Sequence, residues 1–174
     1  ISDLENVNTS ISTRIKITNY LISNKDILDA CILLAIENEK ISAKAMRAVE
    51  TVAREIPEML VPHIALLIKS AQIANKNEEI RPIAKIFECL SICFSENEKV
   101  FSQDEIDEII NICFDWFITN QKTAVKAHSM TVLFILSSKR DWIKPELKQL
   151  LEKNYIAESA GYKARARRIL KNLR

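Results

Sequence analysis

The sequence predicts an all-α protein of about nine helices packed as antiparallel pairs. Three observations lead there. Apolar residues recur at helical spacing along nearly the whole chain, and no segment alternates with period two for long. The 174 residues include one glycine, Gly161. Glycine serves tight turns, hairpins and the close approach of backbone to a ligand. A chain without it before position 161 therefore has no phosphate-cradling loop, nucleophile elbow or Rossmann turn. The polar breaks are short: SNKD (23–26), ENEK (37–40), NKNEE (75–79), TNQK (119–122) and SSKR (137–140). Links of that length make consecutive helices antiparallel neighbours.

Each element has its own reason. A first helix over 3–22 opens at an S-x-x-E capping box, Ser2 with Glu5. Helices over 26–37 and 41–55 follow SNKD and ENEK. A helix over 59–74 follows Pro57, with Pro62 in its first turn, where the missing N–H is tolerated. The next, 79–95, follows NKNEE, with Pro82 near its start. A second capping box, Ser102 with Glu105, opens 103–119, whose stripe is Ile106, Ile109, Ile110, Cys113 and Phe117. The segment 122–138 is apolar nearly all round, which suits a helix packed on several sides. The stripe Ile143, Leu147, Leu150 and Leu151 marks 143–155, with Pro145 in the first turn. The last helix, 159–173, is apolar on one face only, through Tyr162, Ala166, Ile169, Leu170 and Leu173. Its remaining positions hold Lys163, Arg165, Arg167, Arg168, Lys171 and Arg174.

Composition bounds the class. Apolar residues make up 48% and charged residues 28%, a globular balance, and the length suits one domain that needs no disulfide or metal staples. Net charge is +2, which selects no partner of either sign. No run of apolar residues is long enough for a transmembrane helix, so no membrane partner is expected. The opening ISDLENVNTS has neither a basic n-region nor an apolar h-region, so no signal peptide is expected. Cys31, Cys89, Cys93 and Cys113 all sit among apolar residues and read as small buried thiols. The expected location is therefore the reducing cytoplasm.

Four segments share a pattern: ISAKAMRAVETVARE (41–55), IRPIAKIFECLSICF (80–94), VKAHSMTVLFILSSK (125–139) and YKARARRILKNLR (162–174). In the last three, a basic residue follows the first apolar one: Arg81, Lys126 and Lys163. A small residue stands three positions later, at Ala84, Ser129 and Ala166. An apolar residue returns three further on, at Phe87, Val132 and Ile169. In the first segment Lys44 is the nearest basic match, with Met46, Val49 and Val52 shifted by one. The openings IRPIA and VKAHS, preceded by polar turns, make the chain resemble the HEAT/armadillo α-solenoids. That resemblance implies a right-handed α-α superhelix over 1–174, one repeat domain. It would comprise a cap helix 3–22 and the pairs 26–55, 58–95, 102–138 and 142–173. The physical logic is the same: a helical hairpin cannot bury its apolar faces alone, and stacking closes the core. The basic helix 159–173 then reads as a terminal cap with a polar outer face.

Candidate sites follow from the same pattern. The resemblance implies that the second helices line a concave face, where Lys44, Arg81, Lys126 and Lys163 form a basic ladder. With Arg47, Lys85, Arg165 and Arg167 it has the chemistry to meet phosphates. The competing structural reading, which we favour, pairs the ladder with acids of the turns, Glu37, Glu39 or Glu78. Cys89, Cys93 and Cys113 lack zinc-knuckle spacing and an adjacent fourth ligand. His63 and His128 lie in no nucleophile motif and read as hydrogen-bonded, partly buried rings. The acidic run from Asp104 to Glu108 fits a helix first turn, where carboxylates complement the dipole. Trp116 and Trp142 are expected in the core or half-buried. No catalytic residue, cofactor or metal is expected.

The expected function is a non-catalytic module that binds a protein or peptide on a solenoid surface. Nucleic-acid binding through the basic face is the alternative. A concave basic column together with an exposed Trp116 or Trp142 would favour it. An all-helical lyase of the adenylosuccinate lyase/fumarase kind is a third class. Its Ser/Gly-rich loop with Met, Pro, Lys and Asn has no counterpart here, so the protein is not expected to be an enzyme.

Overall fold

A computed structural model describes residues 11–93, 95 and 100–173. Among them are nine α-helices and no strand. They are α1 (Ile11–Ser23), α2 (Lys25–Glu37), α3 (Ser42–Glu55), α4 (Ile64–Ile73), α5 (Asn77–Cys93), α6 (Gln103–Ile118), α7 (Thr123–Leu136), α8 (Ile143–Asn154) and α9 (Ala160–Asn172). A 3-10 segment, Pro57–His63, precedes α4. The expected capping box at Ser2 and Glu5, and the start of the helix expected over 3–22, lie outside the described residues. Contacts divide the chain into two compact units, Ile1–Cys93 and Phe94–Arg174.

In the first unit α3 is the central helix, packed by α1, α2 and α5. Its sequence allows this: Ala45, Ala48 and Ala53 are small enough to let neighbours approach, and Met46, Val49 and Val52 fill the remaining space with no exposure. The helices pack in a regular way. α2 pairs with α3 and α4 with α5, while α2 also lies against α4 and α3 against α5. Phe87 and Leu90 of α5 are fully buried in this core, each worth roughly 1.5–3 kcal/mol of transfer free energy.

The helix expected over 59–74 differs in its first part. Residues 57–63 form a 3-10 turn that buries Leu60 completely, and the α-helix begins only at Ile64. Pro62 contributes to it, since it lacks a backbone donor and would interrupt an α-helix begun at Pro57, and the 3-10 path is the one that buries Leu60. Pro82 departs from expectation too. It stands in the second turn of α5, not the first, so the helix forgoes the bond that residue 82 would donate to Glu78. Upstream, the Glu79 carboxylate accepts from the backbone N–H groups of Asn75 and Lys76, both at 3.3 Å, closing the start of α5.

In the second unit α7 is central and touches α6, α8 and α9, as its all-round apolar sequence requires. Phe117 of α6 stacks on Tyr162 of α9, with ring centroids 6.0 Å apart and planes at 2°, and neither side chain has any exposure. The box expected at the start of α6 is present. The Ser102 hydroxyl accepts from the Glu105 N–H at 3.2 Å, and the Glu105 carboxylate accepts from the Ser102 N–H at 2.8 Å. α7 stops two residues short of the expected 138. The hydroxyls of Ser137 and Ser138 donate to the carbonyls of Phe134 and Ile135 at 2.6 and 3.0 Å, so the terminal acceptors are satisfied without further helix.

Gly161 is the second residue of α9, and its backbone has no positive φ. A Cβ there would meet Thr123 Cγ2 at 3.5 Å, an ordinary contact. Gly161→Ala should therefore stabilise the protein by about 0.5 kcal/mol, through the lower entropy of the unfolded chain. A urea midpoint that fell on this substitution would count against that placement.

Candidate partner-binding surface

The eight basic residues singled out from the sequence fall into two sets. In the first unit, α3 carries Lys44 and Arg47 and the adjacent α5 carries Arg81 and Lys85. Lys44 and Arg81 are exposed; Arg47 and Lys85 are half-buried. Lys85 is not a lone cation. Its ammonium lies 2.7 Å from the carboxylate of Glu88, one turn along α5, and Glu88 is only 1% exposed. On α3 the Arg54 guanidinium donates to the Glu50 carboxylate at 3.0 Å, and Glu50 is buried as well. All four charged groups act on the Cys89 thiol, which places them around one point of the α3/α5 seam. Burial is the main cause raising the Cys89 pKa, with Lys85 and Arg54 opposing it.

In the second unit, α7 carries Lys126 and the adjacent α9 carries Lys163, Arg165 and Arg167. Lys126 pairs with Glu158 at 2.6 Å, with both side chains largely covered. Glu158 lies in the turn that leads into α9, and the next residue, Ser159, caps that helix by accepting from the Tyr162 N–H at 3.3 Å. Arg165 donates to Thr131 of α7 at 2.8 Å, and Arg167 donates to the Tyr155 hydroxyl at 3.2 Å. Lys163 is half-buried.

Turn acids were expected to partner the ladder, and Glu158 does so for Lys126. Of the three acids named from the sequence, Glu39 instead meets Lys76 of the turn between α4 and α5. That contact lowers the Glu39 pKa and raises that of Lys76 through the hydrogen bond they share. Sequence reasoning missed Glu88 and Glu158. The signal for Glu88 was its i+3 spacing from Lys85. For Glu158 it was the position just before a helix, next to the capping Ser159.

The other candidates take these places. Trp116 is buried, whereas Trp142 is 49% exposed and stacks on Phe114 of α6, centroids 5.3 Å apart. Trp142 thus sits with α6 and the start of α8, on helices other than the α7 and α9 that carry the basic residues. His63 Nε2 lies 3.0 Å from Asp29 Oδ1. Of the acidic run, Asp104 and Glu105 occupy the first turn of α6, and Asp107 receives two bonds from Arg140, at 2.8 and 3.0 Å. Arg140 also donates to the Gln103 side chain at 2.8 Å, so one guanidinium ties the turn between α7 and α8 to the start of α6.

The reading of four buried thiols needs correction. Cys31 and Cys113 are buried and Cys89 is half-buried, but Cys93 is exposed at the last turn of α5. Its Sγ donates to Glu58 at 3.2 Å. Local desolvation, then the Glu58 hydrogen bond and charge, raise its pKa above the ordinary thiol value. The thiolate is the nucleophile, so alkylation of Cys93 is slow at neutral pH and accelerates as pH climbs through and beyond the usual thiol range. Cys93 should still react first in the native protein, with Cys31 and Cys113 reacting only on unfolding. Glu58→Gln removes the neighbouring charge and should speed Cys93 alkylation at neutral pH roughly threefold. Peptide mapping after timed iodoacetamide treatment checks both statements. Equal native rates for Cys113 and Cys93, or no response to Glu58→Gln, would contradict them.

Among the described residues no helix is long and apolar enough to cross a membrane, and no group of three His, Cys, Asp or Glu side chains is placed to hold a metal ion. No protein-family model, curated protein or solved structure matches the chain.

Proposed function

We propose that this chain is a HEAT/armadillo-like interaction module that binds a protein or peptide and carries out no chemistry itself. The observation that carries the reading is that two of the ladder cations, Lys85 and Lys126, are matched by acids, as is Arg54 on α3. Lys85 with Glu88, Arg54 with Glu50 and Lys126 with Glu158 are paired at or below 3.0 Å. A surface that tracks phosphates presents unmatched cations. Matched charges at those points, with the exposed ring of Trp142 elsewhere, suit recognition of another polypeptide. Regular stacking of paired helices in the first unit supports the repeat reading. A cytoplasmic location goes with it, because the four thiols are unpaired.

Nucleic-acid binding is the second reading, favoured by the acid-free charge of α9. The test is a tagged pull-down from lysate of the source cells, divided with and without nuclease and read by mass spectrometry. A specific protein retained after nuclease is the expected result. Recovery of nucleic acid, with proteins lost on nuclease treatment, would select the second reading instead.

A further inference from the structure

Where α8 turns into α9, an open groove of about 570 Å³ is lined by Glu152, Tyr155, Ile156, Arg167, Leu170 and Lys171. We infer that this groove docks an acidic amphipathic peptide segment, an apolar side chain entering between Ile156 and Leu170 and carboxylates meeting Arg167 and Lys171. The inference rests on the interaction-module reading and names the chemistry of the partner.

Two independent features carry it. The first is apolar. Ile156 is 87% exposed, more than any other large apolar side chain among the described residues, and Tyr155 and Leu170 beside it are half-covered. A single exposed isoleucine is common, but here it forms one wall of a concavity of ligand size, roughly 300–1,000 Å³. The second feature is charge. α9 carries Lys163, Arg165, Arg167, Arg168 and Lys171 and no acidic residue. Among the described residues, Glu152 is the one that brings a carboxylate to the groove lining. Arg167 and Lys171 stand four residues apart, about 6 Å along the axis, which matches carboxylates one turn apart on a helical partner. The bond from Arg167 to the Tyr155 hydroxyl holds the guanidinium at the rim of the groove. A polynucleotide would gain from the cations but would leave Ile156 and Leu170 facing a charged backbone, beside Glu152. An acidic segment with a leucine or phenylalanine between its carboxylates uses both features.

The test is fluorescence anisotropy with the whole chain and a labelled peptide of about four helical turns, with leucine and glutamate on one face. Binding near 10 μM is the expected order, weakening about tenfold between about 0.05 and 0.5 M salt. Arg167→Glu with Lys171→Glu should weaken binding about 30-fold, and Ile156→Asp about tenfold. These side chains are exposed, so the core is untouched, and circular dichroism checks that. A peptide with lysine in place of glutamate should bind the charge-reversed variant and not the parent. That rescue cannot come from a merely unfolded variant. Peptide binding that ignores the reversal, or a single-stranded oligonucleotide that binds more tightly than the peptide, overturns the inference. In the lysate experiment, a protein retained equally by the parent and the reversed variant overturns the groove while leaving the module reading intact. Nuclease-sensitive recovery would overturn the module reading itself.

Discussion

Phe117→Ala should cost about 3–5 kcal/mol of stability, the range for emptying a buried aromatic site. Phe117 has no exposure and stacks on Tyr162, which has none either. The ring therefore joins α6 to α9 through the side of the core that α7 completes. Removing it opens a cavity and takes away the face on which Tyr162 packs. A domain of this size is stabilised by only about 5–15 kcal/mol, so the loss is a large share. Urea unfolding followed by circular dichroism gives the magnitude, and amide exchange in α6 to α9 gives the location. Phe114→Ala is the internal comparison. Phe114 is half-covered and packs on the exposed Trp142, so its loss should cost only about 1 kcal/mol. Equal effects of the two substitutions would show that the Phe117–Tyr162 stack does not hold the core of this unit together.

Lys85→Met should cost about 3 kcal/mol, more than the deletion of an ordinary surface lysine. The reason lies with its partner. Glu88 is 1% exposed and Lys85 18%, so the substitution leaves a carboxylate out of water without the nearest cation. Breaking one half of a buried pair is worse than removing both halves. The double variant Lys85→Met with Glu88→Leu should accordingly recover to within about 1 kcal/mol of the parent. The double-mutant cycle measures the coupling directly. A double variant as unstable as Lys85→Met alone would mean that the pair is not what holds this part of the α3/α5 seam. The same pair matters for function, because Lys85 was one of the residues a phosphate-binding ladder would use.

Much of the fold was legible in the sequence. α6 shows why: Ser102 and Glu105 form a local box, and the stripe Ile106, Ile109, Ile110, Cys113 and Phe117 turns one face inward. Both signals act within a few residues. The 3-10 turn over 57–63 was harder to read, since prolines suit a helix first turn and a 3-10 segment alike. The burial of Leu60 by its neighbours decides between them. The basic register at Arg81, Lys126 and Lys163 was visible as a spacing, but the state of each cation was not. Glu158 is 32 positions from Lys126, and only the packing of α9 on α7 brings it within reach.

The sequence by itself determined roughly where most helices form and which face of each carries the apolar stripe, because propensity, capping and apolar period are local properties of the chain. Tertiary structure decided which charges are matched, that Cys93 and Trp142 are exposed while Cys113 and Trp116 are not, and that Ile156 stands in an open groove. Those outcomes depend on helices distant in sequence meeting at particular seams. Exposure and electrostatics are sums over all neighbours in space, and the order of residues along a chain states only the neighbours in line.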